Sequence, residues 1–155
     1  MTQDAQIVQD PLPGTRMIRF CGDLLTFTLT LPQSPAGTAW VRTNIGHAEI
    51  IRDEIVREVE KKETSLGRAW FDIPMQRIDD RRFAATLPLY EVGHFEAKCF
   101  FLKDGDAQPT WPPGPNTAVN VEPADACCAN IIYNAFVRQF GANMAGTRRL
   151  SPSDE

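Results

Sequence analysis

The longest stretch of alternating apolar and polar residues runs from Arg82 to Asp104. The alternation is interrupted once, by a short segment that contains Gly93, and then resumes. Period-two alternation on both sides of a glycine-bearing turn predicts a β-hairpin with one buried face. One hairpin cannot cover its own apolar face, so other strands must pack against it. The eight positions expected on that face are Phe83, Ala85, Leu87, Leu89, Phe95, Ala97, Cys99 and Phe101.

Shorter alternating segments flank this hairpin on both sides. Pro74, which cannot donate a ladder hydrogen bond, predicts an edge strand or a bulge in its segment. About six or seven short strands separated by turns are the pattern of an antiparallel β-sandwich. The further strands are predicted at 16–20, 25–31, 38–43 and 70–78, with a short edge strand at 118–121.

The periodicity changes to that of a helix in the segment HAEIIRDEIVREVEKKE, residues 47–63. Ile51, Ile55 and Val59 lie four residues apart, and charged residues fill most of the other positions. This spacing predicts an amphipathic helix of about four turns inserted between strands. The helix is predicted to end at Gly67.

The chain divides into three predicted regions. Residues 1–15 are polar, contain proline and glycine, and are expected to form a flexible arm. Residues 16–122 form the sandwich, and residues 123–155 follow it as a connector, a strand and the start of a helix. In that last region ANIIYNAFVRQFG, residues 129–141, is a near-continuous apolar run typical of a strand buried on both faces. The alternative is one last sandwich strand followed by a polar tail.

Composition narrows the classes of function. The 155 residues carry a net charge of −4 and no basic stripe, which argues against a nucleic-acid partner. No apolar run is long enough to cross a bilayer and the N-terminus does not resemble a secretory signal, so a cytoplasmic location is expected. The four cysteines lack metal-site spacing, so we expect reduced thiols, no metal site and no cofactor. Cys21 and Cys99 are expected to be small buried residues.

The order of these segments resembles the start of an alpha-amylase-family glycoside hydrolase. In that family an immunoglobulin-like N-terminal module precedes a catalytic β/α barrel, and IYNAFVRQFG resembles the first barrel strand. The segment from Met75 through Asp79–Asp80, Phe83, Leu87 and Gly93 to Phe95–Phe101 also resembles the end of that module. Among the members of that family, the resemblance is to bacterial glycogen-debranching or glucanotransferase-like proteins.

The resemblance implies an all-β protein, an immunoglobulin-like antiparallel β-sandwich with one inserted helix and a C-terminal remnant of a β/α barrel. Its implied function is that of a non-catalytic accessory domain which braces the barrel of the same parent chain and binds α-glucan. The family's catalytic aspartate and glutamate lie on later barrel strands, so no catalytic residue is assigned here. Tyr133 and Arg138 match only the opening barrel strand.

Exposed aromatic rings are the means by which sandwich modules stack on the apolar faces of sugars. Alternation directs Trp40 and Trp70 to the outer faces of their strands, and Trp111 lies in a proline-rich loop. Neighbouring polar residues can supply hydrogen bonds. The candidate carbohydrate-binding residues are therefore Trp40, Trp70, Trp111, Arg42, Asp72 and Asn116.

Two other functions remain open from the sequence. One is a stand-alone sandwich module that binds proteins through the helix and the outward tryptophans. The other is a small enzyme that uses Asp72 or Glu96. Residues 129–141, if they lack barrel neighbours, are expected to dock on a sheet edge, to be poorly ordered, or to cause self-association with a second copy.

Overall fold

The structure is a computed structural model that describes residues 6–126. Its strands form two sheets, with the order β1-β3-β7-β6 in sheet A and β2-β9-β8-β4-β5 in sheet B. Neighbouring strands are antiparallel except for β2 and β9, which run parallel. The elements are β1 (Val8–Asp10), β2 (Arg16–Phe20), β3 (Leu24–Thr30), β4 (Gly37–Thr43), α1 (Ala48–Lys61), β5 (Phe71–Pro74), β6 (Gln76–Arg77), β7 (Arg82–Pro88), β8 (Gly93–Lys103) and β9 (Thr117–Glu122).

This strand order is that of an immunoglobulin-like sandwich. Sheet A follows the A-B-E-D order and sheet B contains the G-F-C-C′ order of that fold, with β2 added beside β9. The predicted fold class, an all-β immunoglobulin-like sandwich with one inserted helix, is confirmed. The predicted remnant of a β/α barrel lies outside the described residues, as do Tyr133, Arg138 and the segment 129–141.

Alternation along the strands builds the core between the sheets. Along most of β3, β4, β8 and β9 every second side chain points inward and is buried, while the residues between them point outward. Of the eight inward positions predicted from Phe83 to Phe101, all except the partly exposed Ala85 are buried. The largest fully buried apolar side chains are Phe27, Phe95, Leu29 and Leu89.

The predicted hairpin between β7 and β8 is wrong, although both strands form. β7 pairs with β3 and β6 in sheet A, whereas β8 pairs with β4 and β9 in sheet B. Leu89 extends the contact with sheet A, because its backbone exchanges hydrogen bonds with Gly22 and Asp23 at 2.8 and 2.9 Å. The connection therefore crosses from one sheet to the other, and both apolar faces meet across the core.

Three other predictions about the strands also differ from the structure. The segment 70–78 divides into two edge strands, β5 in sheet B and β6 in sheet A, so the predicted edge position is correct but the single strand is not. The strand at 118–121 lies between β2 and β8 instead of at an edge. Within the predicted flexible arm, β1 pairs with β3.

Gln9 explains why β1 is fixed in place. Its side chain is fully buried, and its Oε1 accepts a hydrogen bond from the backbone N–H of Cys99 at 2.7 Å. Its Nε2 donates to the carbonyl of Pro11 at 2.8 Å and to Thr117 Oγ1 at 3.0 Å. One side chain of sheet A thus satisfies buried polar groups on two strands of sheet B.

The predicted helix is confirmed as α1, but it ends earlier than expected. Lys62 adopts a left-handed backbone with φ of 55° and ends the helix before Gly67. At the other end, Oε2 of Glu91 accepts a hydrogen bond from the backbone N–H of Ala48 at 2.8 Å. The N-terminal cap therefore comes from the connection between β7 and β8, which is distant in sequence.

Among residues 6–126, Cys99 is buried, Cys21 is partly buried, and both are free thiols. Cys127 and Cys128 lie outside this range. In the same part of the chain, α1 is too short and too charged to span a membrane.

Candidate functional site

The outer face of sheet B holds four of the six predicted binding residues. The pairing of β4 with β5 places Arg42 opposite Asp72. Arg42 Nε donates to Asp72 Oδ1 at 2.8 Å, and Nη2 donates to Oδ2 at 2.9 Å. The hydrogen bonds to Asp72 raise the pKa of Arg42, so its charge is permanent. Because both groups are partly exposed, this bidentate pair fixes the guanidinium plane more than it stabilises the fold.

The fixed guanidinium lies over two aromatic rings. Arg42 Cζ is 5.2 Å from the ring centroid of Phe100 and 5.4 Å from that of Trp111. The two ring centroids are 4.7 Å apart with an interplanar angle of 41°. These distances are within the range of cation–π and aromatic contacts. Trp111 and Arg42 together cover Phe100, which is buried even though it lies on the outer face.

Trp40 completes this group of side chains. It lies directly opposite Phe100 in the pairing of β4 with β8, and the two residues share the outer face of the sheet. Its indole N–H donates to Thr38 Oγ1 at 3.0 Å, and the ring is half-buried. We call Trp40, Arg42, Asp72, Phe100 and Trp111 the aromatic cluster.

A cavity of about 500 Å³ opens beside the aromatic cluster. It lies between the β3–β4 loop and the β8–β9 connection, at one end of the sandwich, where binding loops of this fold gather. Trp111 forms part of its wall and therefore belongs to both features. Its polar lining includes Gln33, Lys103, Asp106 and Thr110. We call this space the loop-end cavity.

The structure does not bring the other two candidates into the cluster. Trp70 lies at the end of the loop between α1 and β5, where its backbone N–H donates to Gly67 at 3.1 Å. Asn116 Nδ2 donates to Glu96 Oε2 at 3.0 Å beside a separate cavity of about 410 Å³. Phe100 was missed from the sequence, although a phenylalanine at an outward position, between the inward Cys99 and Phe101, was a detectable signal.

The carboxylate of Asp79 has a structural role. Its Oδ1 accepts hydrogen bonds from the backbone N–H groups of Arg81 and Arg82, each at 2.9 Å. The backbone N–H of Arg81, the Arg82 side chain and the Arg82 N–H together lower the pKa of Asp79, which keeps it ionised in the turn before β7. The sequence interpretation of a solvated polar turn is confirmed.

Both histidines make local contacts. His47 Nδ1 donates to the carbonyl of Ala69 at 2.6 Å, and its ring lies 4.4 Å from that of Phe71. His94 was expected in a turn, but it lies within β8 and contacts Asn120 Oδ1 at 2.5 Å. Between residues 6 and 126, no three histidine, cysteine, aspartate or glutamate side chains gather as a metal site.

Comparisons with known proteins add no functional assignment. No protein-family model matches the sequence, and no curated protein matches it. A crystal structure of a chicken TCR is similar with a TM-score of 0.47 and 8% sequence identity. The alignment covers 77% of this chain and 51% of that one, so the chain spans about half the length of the TCR chain.

Proposed function

We propose that this chain is a non-catalytic accessory domain that binds α-glucan through the aromatic cluster. In this proposal the parent protein is an alpha-amylase-family enzyme, and residues 129–141 form the first strand of its catalytic barrel. The sequence resemblance supports the parent family. The arrangement of Trp111 against Phe100, under a guanidinium fixed by Asp72, supports the binding surface.

The chemistry of the cluster suits a sugar ligand. The apolar faces of pyranose rings pack on indole rings, and the remaining N–H groups of Arg42 can donate hydrogen bonds to sugar hydroxyls. The loop-end cavity lies within the volume range of small-molecule sites and combines the indole of Trp111 with amide, hydroxyl and charged groups. A glucan chain that crosses the outer face of Trp111 would reach these groups.

The surroundings of Asp72 and Glu96 favour a binding role for this chain over a catalytic one. Glycoside hydrolysis uses two carboxyl groups that flank the bond, about 5–10 Å apart, one of which must exchange a proton. Both oxygens of Asp72 accept hydrogen bonds from Arg42, which leaves this carboxylate committed to a structural pair. Glu96 is exposed on the outer face of β8 and contacts Asn116. The proposal therefore assigns hydrolysis or transfer to the barrel of the parent.

A calorimetric titration of the chain with maltoheptaose tests the proposal. Trp111→Ala removes the ring that the cluster and the cavity share, and it is expected to weaken binding at least tenfold, which corresponds to about 1.4 kcal/mol. Trp70→Ala is the matched control, since it deletes a half-buried indole outside the cluster and should leave the dissociation constant unchanged. Absence of saturable binding by the unaltered chain, or an equal loss in both variants, would contradict the glucan proposal.

The alternative function is a stand-alone module that binds a protein. The observation in its favour is the set of exposed apolar side chains on α1, which include Ile55 and Val59. This surface lies on α1, whereas the aromatic cluster lies on β4, β5 and β8 and the following loop. The two proposals therefore predict different sensitive residues.

A further inference from the structure

A depression of its own lies on the outer face of sheet B, at some distance from the aromatic cluster. Its volume is about 410 Å³, which is within the range of small-molecule sites. Its floor is Ala118 on β9, which pairs with Glu96 of β8 on one side and with Arg16 of β2 on the other. Pro115 and Asn116, from the proline-rich loop, line a further side. We call this space the polar depression.

The depression exists because a small residue separates two long charged ones. Neighbouring strands lie about 5 Å apart, so the backbones at Arg16 and Glu96 are about 10 Å apart, with the methyl group of Ala118 between them. Within residues 6–126, the guanidinium of Arg16 forms no salt bridge. In the same range, the hydrogen bond that the Glu96 carboxylate accepts comes from Asn116 and uses Oε2. The guanidinium and the second carboxylate oxygen therefore remain available to a ligand.

The two charges restrict the class of ligand. Arg16 repels a cation and Glu96 repels an anion, so a neutral molecule suits the depression best. The hydroxyls of a sugar both donate and accept, so they can bond to the carboxylate and to the guanidinium. Hydrogen bonds to such charged groups are stronger than those between neutral groups. The polar depression therefore fits a neutral ligand that is rich in hydroxyls.

The polar depression and the aromatic cluster are joined by one strand and one loop. Phe100 and Glu96 are both outward residues of β8, four positions and about 13 Å apart. Trp111 and Asn116 belong to the same proline-rich loop, and Lys98 of β8 donates from Nζ to a carbonyl of that loop. This anchor holds the two features at a fixed separation, which several linked sugar units can span.

We infer that the polar depression is a second subsite for the α-glucan chain that the aromatic cluster binds. One sugar unit stacks on Trp111, and units further along the chain place their hydroxyls between Arg16 and Glu96. Asn116 holds the carboxylate of Glu96 in position. The inference rests on the proposed glucan function and adds a preference for chain length, because oligosaccharides that reach both features bind more tightly than short ones.

Calorimetric titrations with maltose and with maltoheptaose test the inference. The unaltered chain is expected to bind maltoheptaose at least tenfold more tightly than maltose, which is too short to occupy both features. Arg16→Ala should weaken maltoheptaose binding at least fivefold and leave maltose binding unchanged, because maltose stacks on Trp111. Arg19→Ala is the matched control, since Arg19 lies on β2 at an alternate position outside the depression and its loss removes the same charge.

A second variant blocks the subsite without removing a charge. Ala118→Ile fills the floor of the depression, keeps Arg16 and Glu96, and introduces a residue that strands accommodate well. It should also weaken maltoheptaose binding at least fivefold and leave maltose binding unchanged. Glycine, a zwitterion without hydroxyls, should not compete with maltoheptaose when it is present in excess.

The outcomes separate the subsite from the glucan function itself. Unchanged maltoheptaose binding in Arg16→Ala or in Ala118→Ile, an equal loss in Arg19→Ala, or competition by glycine would overturn the subsite while the glucan function stood. An equal loss for maltose and maltoheptaose in the two depression variants would also overturn it. If the unaltered chain bound neither sugar, the glucan function and the subsite would both be wrong.

Discussion

Gln9 illustrates how one buried polar residue can decide the placement of a strand. Its amide is shielded from water, and it satisfies the N–H of Cys99, the carbonyl of Pro11 and the hydroxyl of Thr117. Loss of the Gln9 amide would leave the buried Cys99 N–H without its acceptor, which costs stability, whereas Thr117 Oγ1 would keep its hydrogen bond to the Leu12 carbonyl at 3.2 Å. The sequence places Gln9 in a polar stretch, so its burial follows only from the tertiary structure.

Replacement of Gln9 by leucine tests its contribution at nearly constant volume. We expect Gln9→Leu to lower the free energy of unfolding by about 2–3 kcal/mol, because the Cys99 N–H would be buried without an acceptor. Urea denaturation measures the change. Thr26→Val is the control, since Thr26 and Thr86 share an exposed hydroxyl contact of 2.8 Å, and its removal should cost less than about 0.5 kcal/mol. An equal loss in both variants would contradict the role given to Gln9.

The burial of Cys99 makes the stability of the fold depend on pH in the alkaline range. Burial raises the pKa of its thiol to about 12, well above that of an exposed thiol. Below the ordinary thiol pKa of about 8.5 both the folded and unfolded states keep the proton. Above it only the unfolded state loses the proton, so stability should fall by about 1.4 kcal/mol per pH unit up to the folded pKa.

The variant Cys99→Ala removes this titration. It is expected to lower stability at neutral pH, because a small cavity forms, but to flatten the decline between pH 9 and pH 11. Chemical denaturation across that pH range measures both effects. A slope identical to that of the unaltered chain would show that other groups cause the alkaline decline.

At the scale of elements, α1 depends on a residue from another part of the chain. Glu91 lies in the crossing from β7 to β8, and its carboxylate accepts the N–H of Ala48 at the first turn of the helix. A negative group at this end also interacts favourably with the helix dipole. The crossing and the helix therefore stabilise each other.

Removal of this cap should weaken α1 selectively. Glu91→Ala is expected to cost about 1 kcal/mol and to speed amide exchange in the first turn of the helix. Glu60→Ala, at the exposed C-terminal end of α1, has the same chemistry without the cap and should change stability by less than about 0.5 kcal/mol. Unchanged exchange at the first turn in Glu91→Ala would contradict the proposed cap.

Alternation predicts which side of a strand is buried but does not identify the strand beside it. Phe83 and Phe95 were correctly predicted to face the core, yet a hairpin and a crossing between sheets require the same pattern. In the crossing, the backbone of Leu89 bonds to Gly22 and Asp23, and the carboxylate of Glu91 bonds to the start of α1. Neither of these contacts leaves a periodic signal in the sequence.

At the scale of the molecule, the candidate site combines predictable and unpredictable parts. Alternation directed Trp40, Arg42 and Asp72 outward, and the structure confirms these directions. The register that sets Arg42 opposite Asp72, and the folding of a proline-rich loop that sets Trp111 on Phe100, depend on tertiary contacts. Sequence reasoning therefore found most members of the cluster but not their arrangement. It included Trp70 because alternation directs it outward, and Asn116 because it is a polar residue close to Trp111 in the sequence.

The parallel pairing of β2 with β9 has a mechanical consequence for a chain held at both ends. If opposite forces pulled on the start of β2 and the end of β9, the two strands would slide past each other, because both run in the same direction. All hydrogen bonds between them would then bear the force together, whereas an antiparallel terminal pair opens one bond at a time. Within a longer polypeptide, this sandwich would transmit tension between its neighbours before it unravelled.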